Sequence, residues 1–326
     1  MLDLTIATSA CDRTAALADG RVRPEGISLN LLLLPVEEIF WRMLRHGEFD
    51  ASEASLGGYC VRSARGRDDL VAIPVFLSRA FRHSSIYINE RSRIERPEDL
   101  AGMRIGVPEY QMTAAVWIRG ILKDEYGFRP ETATWVQGGL EEAGRTPHEP
   151  VRPPGIRLHD APADRTLSAM LAAGDIDALV SARAPSTFAA GGPVRRLFPE
   201  PWSVERDWFG RTGIFPIMHT FVVRKAILDR HPWVAQSLVK AFAAAKDVAL
   251  DGLRDAGVLH ASLPFLSQHV GETVELMGRD YWPYGFEENR ATLQRFVDYL
   301  ADQRLVEGPL SVETLFAPST LTVARN

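Results

Sequence analysis

Two apolar, β-branched runs set far apart constrain this chain most: Ser84-Ser85-Ile86-Tyr87-Ile88-Asn89, and later Ile214-Phe215-Pro216-Ile217-Met218-His219-Thr220-Phe221-Val222-Val223. The stretch between them alternates strand and helix signals and reads as a complete unit, so each run is expected to be a crossing between two lobes. The fold class that follows is α/β and two-lobed, with two hinge crossings and a central cleft. Residues 1–85 and 216–326 would form a discontinuous first lobe, and residues 86–215 the second. The returning strand would carry His219 into the cleft.

A chain of 326 residues, 46% hydrophobic and 24% charged, is long enough for two cores and short for three. The net charge of −5 comes from well-mixed signs. That mixture argues against a nucleic-acid surface and confines any anion site to local basic residues. Only Cys11 and Cys60 occur, without metal-ligand spacing, so neither a disulfide framework nor a cysteine zinc site is expected. Leu2 to Ala7 already reads as a core strand with no signal-peptide pattern before it, and no run reaches transmembrane length. We therefore expect a cytoplasmic protein without a membrane partner, and leave open whether it forms a homo-oligomer.

Along the chain, strands are expected at Leu2–Ala7, Ile27–Leu34, Phe49–Ala54 and Leu70–Leu77, with a helix over Val36–His46. In the middle unit, strands are expected at Met103–Val107, Thr132–Val136, Ile156–His159 and Ala178–Ser181, with helices over Thr113–Lys123 and Arg165–Ala173. Gly138 to Pro154, rich in Gly, Pro and charge, reads as an excursion loop. Beyond the second crossing, helical stripes run through Val234, Leu238, Phe242 and Ala245, and through Leu293, Phe296, Val297 and Leu300. In such βα alternation ligand loops gather at the carboxyl ends of the strands.

Several groups fall at those ends. Asp12 and Arg13 follow the first strand, and an arginine there can fork onto a carboxylate. Glu53 and Ser55 project to one side where the third strand gives out, as acceptor and orienting hydroxyl for a phenol or, alternatively, as a helix cap. Arg79, Arg82 and His83 crowd the first crossing as an anion trap. Gln111 and Thr113 stand between a strand and a helix, where backbone N–H groups can bind an oxyanion. Arg183 adds a basic group from the second lobe, and His219 suits a proton donor because imidazole titrates near neutrality. The aromatic loop Tyr281–Phe286 reads as packing of the last helix more readily than as a ligand wall. No glycine-rich phosphate loop, HExxH or nucleophile elbow occurs. No cofactor is expected. A divalent metal stays open, because Glu53, His83 and His219 could converge in space, although no sequence spacing supports it.

Trp135-Val136-Gln137-Gly138-Gly139-Leu140-Glu141-Glu142, Pro153-Pro154-Gly155, Leu167 to Ala178, and Trp282-Pro283-Tyr284-Gly285 with Asn289-Arg290 resemble the 4,5-dihydroxyphthalate decarboxylase family over nearly the whole chain. The resemblance implies the fold of type II periplasmic solute-binding proteins and a non-oxidative decarboxylation of a hydroxylated aromatic acid. That chemistry needs a carboxylate handle, expected on Arg13 or Arg183, a group near a ring hydroxyl, expected to be Glu53, and an acid, expected to be His219. The alternative is a protein that closes on a small carboxylate without turnover. Kinship to pyrimidine-precursor synthases of the same architecture is a third idea that no residue pattern demands.

Overall fold

The computed structural model describes residues 1–145, 150–308 and 310–322. The chain opens with β1 (Leu2–Thr8), α1 (Asp12–Ala18), β2 (Ile27–Leu33), α2 (Val36–Trp41), β3 (Ala51–Ser55), α3 (Leu56–Ala64) and β4 (Leu70–Arg79). It continues with β5 (Ile86–Asn89), β6 (Arg104–Val107), α4 (Thr113–Tyr126), β7 (Thr134–Gln137), β8 (Arg157–Asp160), α5 (Leu167–Ala173), β9 (Ala178–Val180), β10 (Val194–Arg196) and α6 (Pro201–Thr212). It closes with β11 (Ile217–Arg224), α7 (Lys225–Arg230), α8 (Trp233–Arg254), α9 (Leu266–Met277) and α10 (Arg290–Asp302).

Two sheets result, ordered β2-β1-β3-β11-β4 and β10-β5-β9-β6-β7-β8. The chain leaves the first sheet after β4, builds the second, and re-enters the first through β11. That strand lies antiparallel between β3 and β4, whereas β1, β2 and β3 run parallel. The two-lobed α/β architecture read from the crossings is therefore present. Helix α2 continues as a wider π turn over Arg42–His46 and stops at Gly47, whose φ of 61° is open to glycine at little cost.

β10, α6 and α9 had no counterpart in the sequence reading. Of α6 only Trp208 is buried, so it displays little of the buried stripe that periodicity detects; α9 buries only Leu266 but carries Val270, Val274 and Met277 half-buried on the same face, a stripe present in the sequence. Residues 146–149 of the loop expected over Gly138–Pro154 lie outside the described residues.

The two sheets do not keep separate cores. One apolar cluster runs from Leu4 through Val107, Trp117 and Trp135 to Phe296 and Ala317, and among the described residues a small satellite around Leu167, Leu171 and Leu179 stands apart. The bridge is α4, in which every residue from Thr113 to Leu122 is buried. The Trp117 ring lies 5.4 Å from that of Phe296 and 5.6 Å from that of Tyr299 on α10. Trp117 Nε1 donates to the Ile217 carbonyl at 2.9 Å, pinning the returning crossing. A buried arginine reinforces the joint: Arg119 donates to Gln303 Oε1 at 2.7 Å and to the Tyr110 carbonyl at 2.6 Å, and stacks on the Tyr110 ring. No helix among the described residues is long and apolar enough to cross a membrane.

One sequence irregularity shapes the site. Pro74 lies inside β4, and a proline cannot supply an N–H to a sheet ladder, so it belongs on an edge strand or a bulge. β4 is an edge strand, and its register against β11 jumps on both sides of His219, from Ile217↔Arg79 to His219↔Ser78 to Phe221↔Ile73. Bulges re-aim side chains and release backbone groups from the ladder. Carbonyls of this segment bind elsewhere: that of Pro74 accepts from Gly285 N, that of Phe76 from Trp282 Nε1, and that of Leu77 from Arg13.

Candidate active site

Three neighbouring strands of the first sheet each bring one side chain into a row. β1 ends at Thr8, so Ser9 stands just past its carboxyl end; β3 carries Glu53; and β11 carries His219, aligned by the pairs His219↔Ser55 and Phe221↔Glu53. Glu53 Oε1 lies 2.6 Å from His219 Nδ1, while Oε2 accepts from Ser9 N at 2.8 Å and Ser9 Oγ at 2.7 Å. Glu53 is fully buried, whereas the His219 side chain is 17% exposed. The edge of Phe40 meets the imidazole with ring centroids 4.9 Å apart.

Burial works to raise the Glu53 carboxyl, but the hydrogen bonds from His219 and Ser9 outweigh it and hold the group below the ordinary carboxylate range. An ionised Glu53 assigns the proton on Nδ1 of His219 to the hydrogen bond between them, which leaves Nε2 as the nitrogen for outside chemistry. Both Glu53 oxygens are engaged and the residue is sealed, so its position suits orienting His219 and not contact with a ring hydroxyl.

Arg13 forms the second part of the site. Its guanidinium lies 4.1 Å from the centroid of the Trp282 indole, donates through Nη2 to the Leu77 carbonyl at 3.0 Å, and pairs through Nη1 with Asp12 at 2.6 Å. Trp282 is fixed by its own bond to the Phe76 carbonyl at 2.9 Å. The bulge forced around Pro74 thus holds both the arginine and its aromatic support. Tyr284 links this group to the first: its phenol is raised by burial and lies within electrostatic reach of Arg13, Cys11, Arg79 and Glu53.

The remaining candidates are distributed differently from the sequence expectation. Ser55 Oγ and Thr113 Oγ1 meet at 2.9 Å, and Thr113 Oγ1 also accepts from Gly57 N at 2.9 Å, so the two hydroxyls join the lobes where α3 and α4 begin. Gly57 is required there, since a Cβ would lie 2.6 Å from the Gln111 carbonyl oxygen. Gln111 is buried and donates to Glu109 at 3.0 Å. Arg183 reaches out of the second lobe to Glu37 of α2 at 2.7 Å, an exposed pair across the lobes. Arg79 is buried among neutral acceptors, the carbonyls of Phe215 and Pro283 and the amide oxygen of Asn289, and burial pulls it down to about 9. It clamps the aromatic loop to the hinge. Asn289 completes that clamp by donating to the carbonyls of Pro283 and Gly285, which gives the Trp282–Asn289 motif a structural purpose.

Arg82 lies at the crossing, with Nε 3.1 Å from Met218 Sδ and Nη1 3.3 Å from the Ala182 carbonyl, and so touches both lobes. His83 is buried against Phe198 and Trp208, its ring nitrogens without hydrogen-bond partners, and burial lowers it to about 4. It therefore does not converge with Glu53 and His219. Among the described residues no group of three His, Cys, Asp or Glu side chains could hold a metal ion. Cys11 and Cys60 are free thiols. The sequence reading missed Ser9; its one signal was a hydroxyl residue directly after the first strand, two positions before Cys11.

The fold defines the class first. The chain is similar to the alkanesulfonate-binding protein SsuA from Xanthomonas axonopodis pv. citri, with 17% identity, 98% of each chain covered and a TM-score of 0.55, and so has the two-lobed fold of periplasmic binding proteins. No protein-family model matches it. It is 42% identical over 322 residues to the 4,5-dihydroxyphthalate decarboxylase of Comamonas testosteroni, covering 98% of both chains. It is also 44% identical over 210 residues to that of Pseudomonas putida, covering 64% of this chain and 81% of the relative. The chain belongs to the 4,5-dihydroxyphthalate decarboxylase family.

Proposed function

We propose that this protein is a carboxy-lyase that removes CO2 from 4,5-dihydroxyphthalate or a close hydroxylated analogue without oxidation. The observation that carries the proposal is the buried Glu53 bonded to a partly exposed His219 on the returning crossing, in a chain of this family.

In such a substrate each carboxylate has a hydroxyl para to it. Electrons pushed from that oxygen let the ring carbon bearing the leaving carboxylate accept a proton. The C–C bond to the carboxylate then breaks, its electron pair restores the aromatic ring, and CO2 departs. His219 Nε2 supplies the proton, and Glu53 keeps the imidazole oriented and offsets its charge. The guanidinium of Arg13, over the Trp282 ring, receives the retained carboxylate. Tight binding of the leaving group would stabilise the ground state, so the handle belongs on the neighbouring carboxylate. A single proton-transfer role is typically worth about 10²–10⁴-fold in rate.

Purified protein incubated with 4,5-dihydroxyphthalate is expected to yield 3,4-dihydroxybenzoate and CO2, and His219→Gln to reduce turnover by about 10²–10⁴-fold. Saturable binding with no product, with and without a divalent cation, would replace the enzyme with a receptor, the second function compatible with this fold.

A further inference from the structure

We infer that Ser9 is a positioning residue for the proton donor, acting on His219 through Glu53. The inference rests on the decarboxylase proposal for its kinetic consequence, but not for the hydrogen-bond geometry that carries it.

A carboxylate bonded through one oxygen can turn about its terminal torsion, which is broad and roughly two-fold. Glu53 is denied that freedom because the backbone N–H and the hydroxyl of Ser9 converge on Oε2 at 2.8 and 2.7 Å. Oε1 is thereby left facing Nδ1 of His219 at 2.6 Å. The Ser9 carbonyl lies 3.2 Å from the hydroxyl of Thr14, a buried residue in the first turn of α1, which lies nearer still to the Cys11 carbonyl at 3.0 Å and has one proton for the two acceptors. The order Ser9, Glu53, His219 thus transmits the placement of the β1 end to the imidazole. A reacting carbon must meet the proton donor within a narrow range of positions, so freeing the carboxylate plane should lower kcat while leaving substrate binding intact.

The groups acting on Glu53 are few. His219 and Ser9 are its hydrogen-bond partners, and the Tyr284 phenol lies within its electrostatic reach. Losing the Ser9 hydroxyl removes a donor from the ionised carboxylate, so Glu53 should protonate at a higher pH.

The test compares the wild type with Ser9→Ala, Ser9→Thr and His219→Gln. For Ser9→Ala, kcat is expected to fall about 10-fold with KM within two-fold, as is usual when an outer partner of a reacting group is lost. The acid limb of kcat/KM should move to higher pH, and Ser9→Thr, which keeps the hydroxyl, should restore both. An unchanged kcat and acid limb in Ser9→Ala, with His219→Gln inactive, would overturn the inference while the decarboxylase proposal stands. Were the wild type itself to lack turnover, proton NMR still decides. The Nδ1 proton of His219, assigned by its absence in His219→Gln, should be a protected downfield resonance that is lost in Ser9→Ala and kept in Ser9→Thr. Its persistence in Ser9→Ala would overturn the inference.

Discussion

Gly120 of α4 and Tyr299 of α10 share one space: a Cβ built on Gly120 would lie 2.2 Å from Cδ2 of the Tyr299 ring. The helix interior accepts the conformational cost of glycine so that a tyrosine from the far end of the sequence can lie flush against the second lobe. Tyr299 uses that position to donate to Asp124 Oδ2 at 2.7 Å.

Gly120→Ala should therefore destabilise the fold despite its better helix propensity, by about 1–3 kcal/mol from overpacking. Pairing it with Tyr299→Leu should cost less than the sum of the single changes, because both act on one contact. Urea unfolding of the four proteins checks this.

The pair Glu37–Arg183 should contribute little to stability. Their side chains are 40% and 67% exposed, so Glu37→Gln should alter unfolding by no more than about 1 kcal/mol. Glu37→Arg should instead set two cations against each other and lower the urea midpoint further than Glu37→Gln does. Adding Arg183→Glu should reverse the change, and high salt should mute it.

Glu53 should make stability depend on pH in a defined direction. Its carboxyl is held below the reference value of 4.5, so its contribution is complete above that pH and is lost as pH falls through the lowered folded value. Glu53→Gln lacks this ionisation. The difference in urea midpoint between wild type and variant should therefore be largest at pH 6 and shrink towards pH 3, with a cost at neutral pH of roughly 1–3 kcal/mol.

Arg13 should separate binding from chemistry. Arg13→Met keeps an apolar stem against Trp282 but removes the proposed carboxylate handle, so KM should rise roughly 10–100-fold, in line with a lost charged hydrogen bond. Arg13→Lys should recover only part of this, because an ammonium cannot present the planar fork. Steady-state kinetics on 4,5-dihydroxyphthalate supplies the measurement, and a change confined to kcat would assign Arg13 another role.

Much of the fold was legible because it is periodic. The β-branched runs at Ile86 and Ile217, the amphipathic stripe of α10 and the alternation through the middle unit follow from side-chain spacing alone. α6 was not legible, since it buries little beyond Trp208, whereas α9 carries the stripe Leu266, Val270, Val274 and Met277 and could have been read. The place of His219 on the crossing could be read from the sequence, but the surroundings of Glu53 could not. Sequence puts a carboxylate at a strand end; only the fold shows it buried, with its oxygens on His219 and Ser9. Thr113 changed purpose in the same way, from an anion donor to a joint with Ser55.

By itself the sequence determined the alternation of strands and helices, the two crossings, and the family resemblance carried by Trp135–Glu142 and Trp282–Arg290, because local periodicity and residue identity need no partner in space. The tertiary structure alone decided which arginine lies on Trp282, which pairs with Glu37, and which is buried in the hinge. Those outcomes depend largely on contacts between residues far apart in the sequence, where burial and hydrogen-bond geometry set what each charge can do.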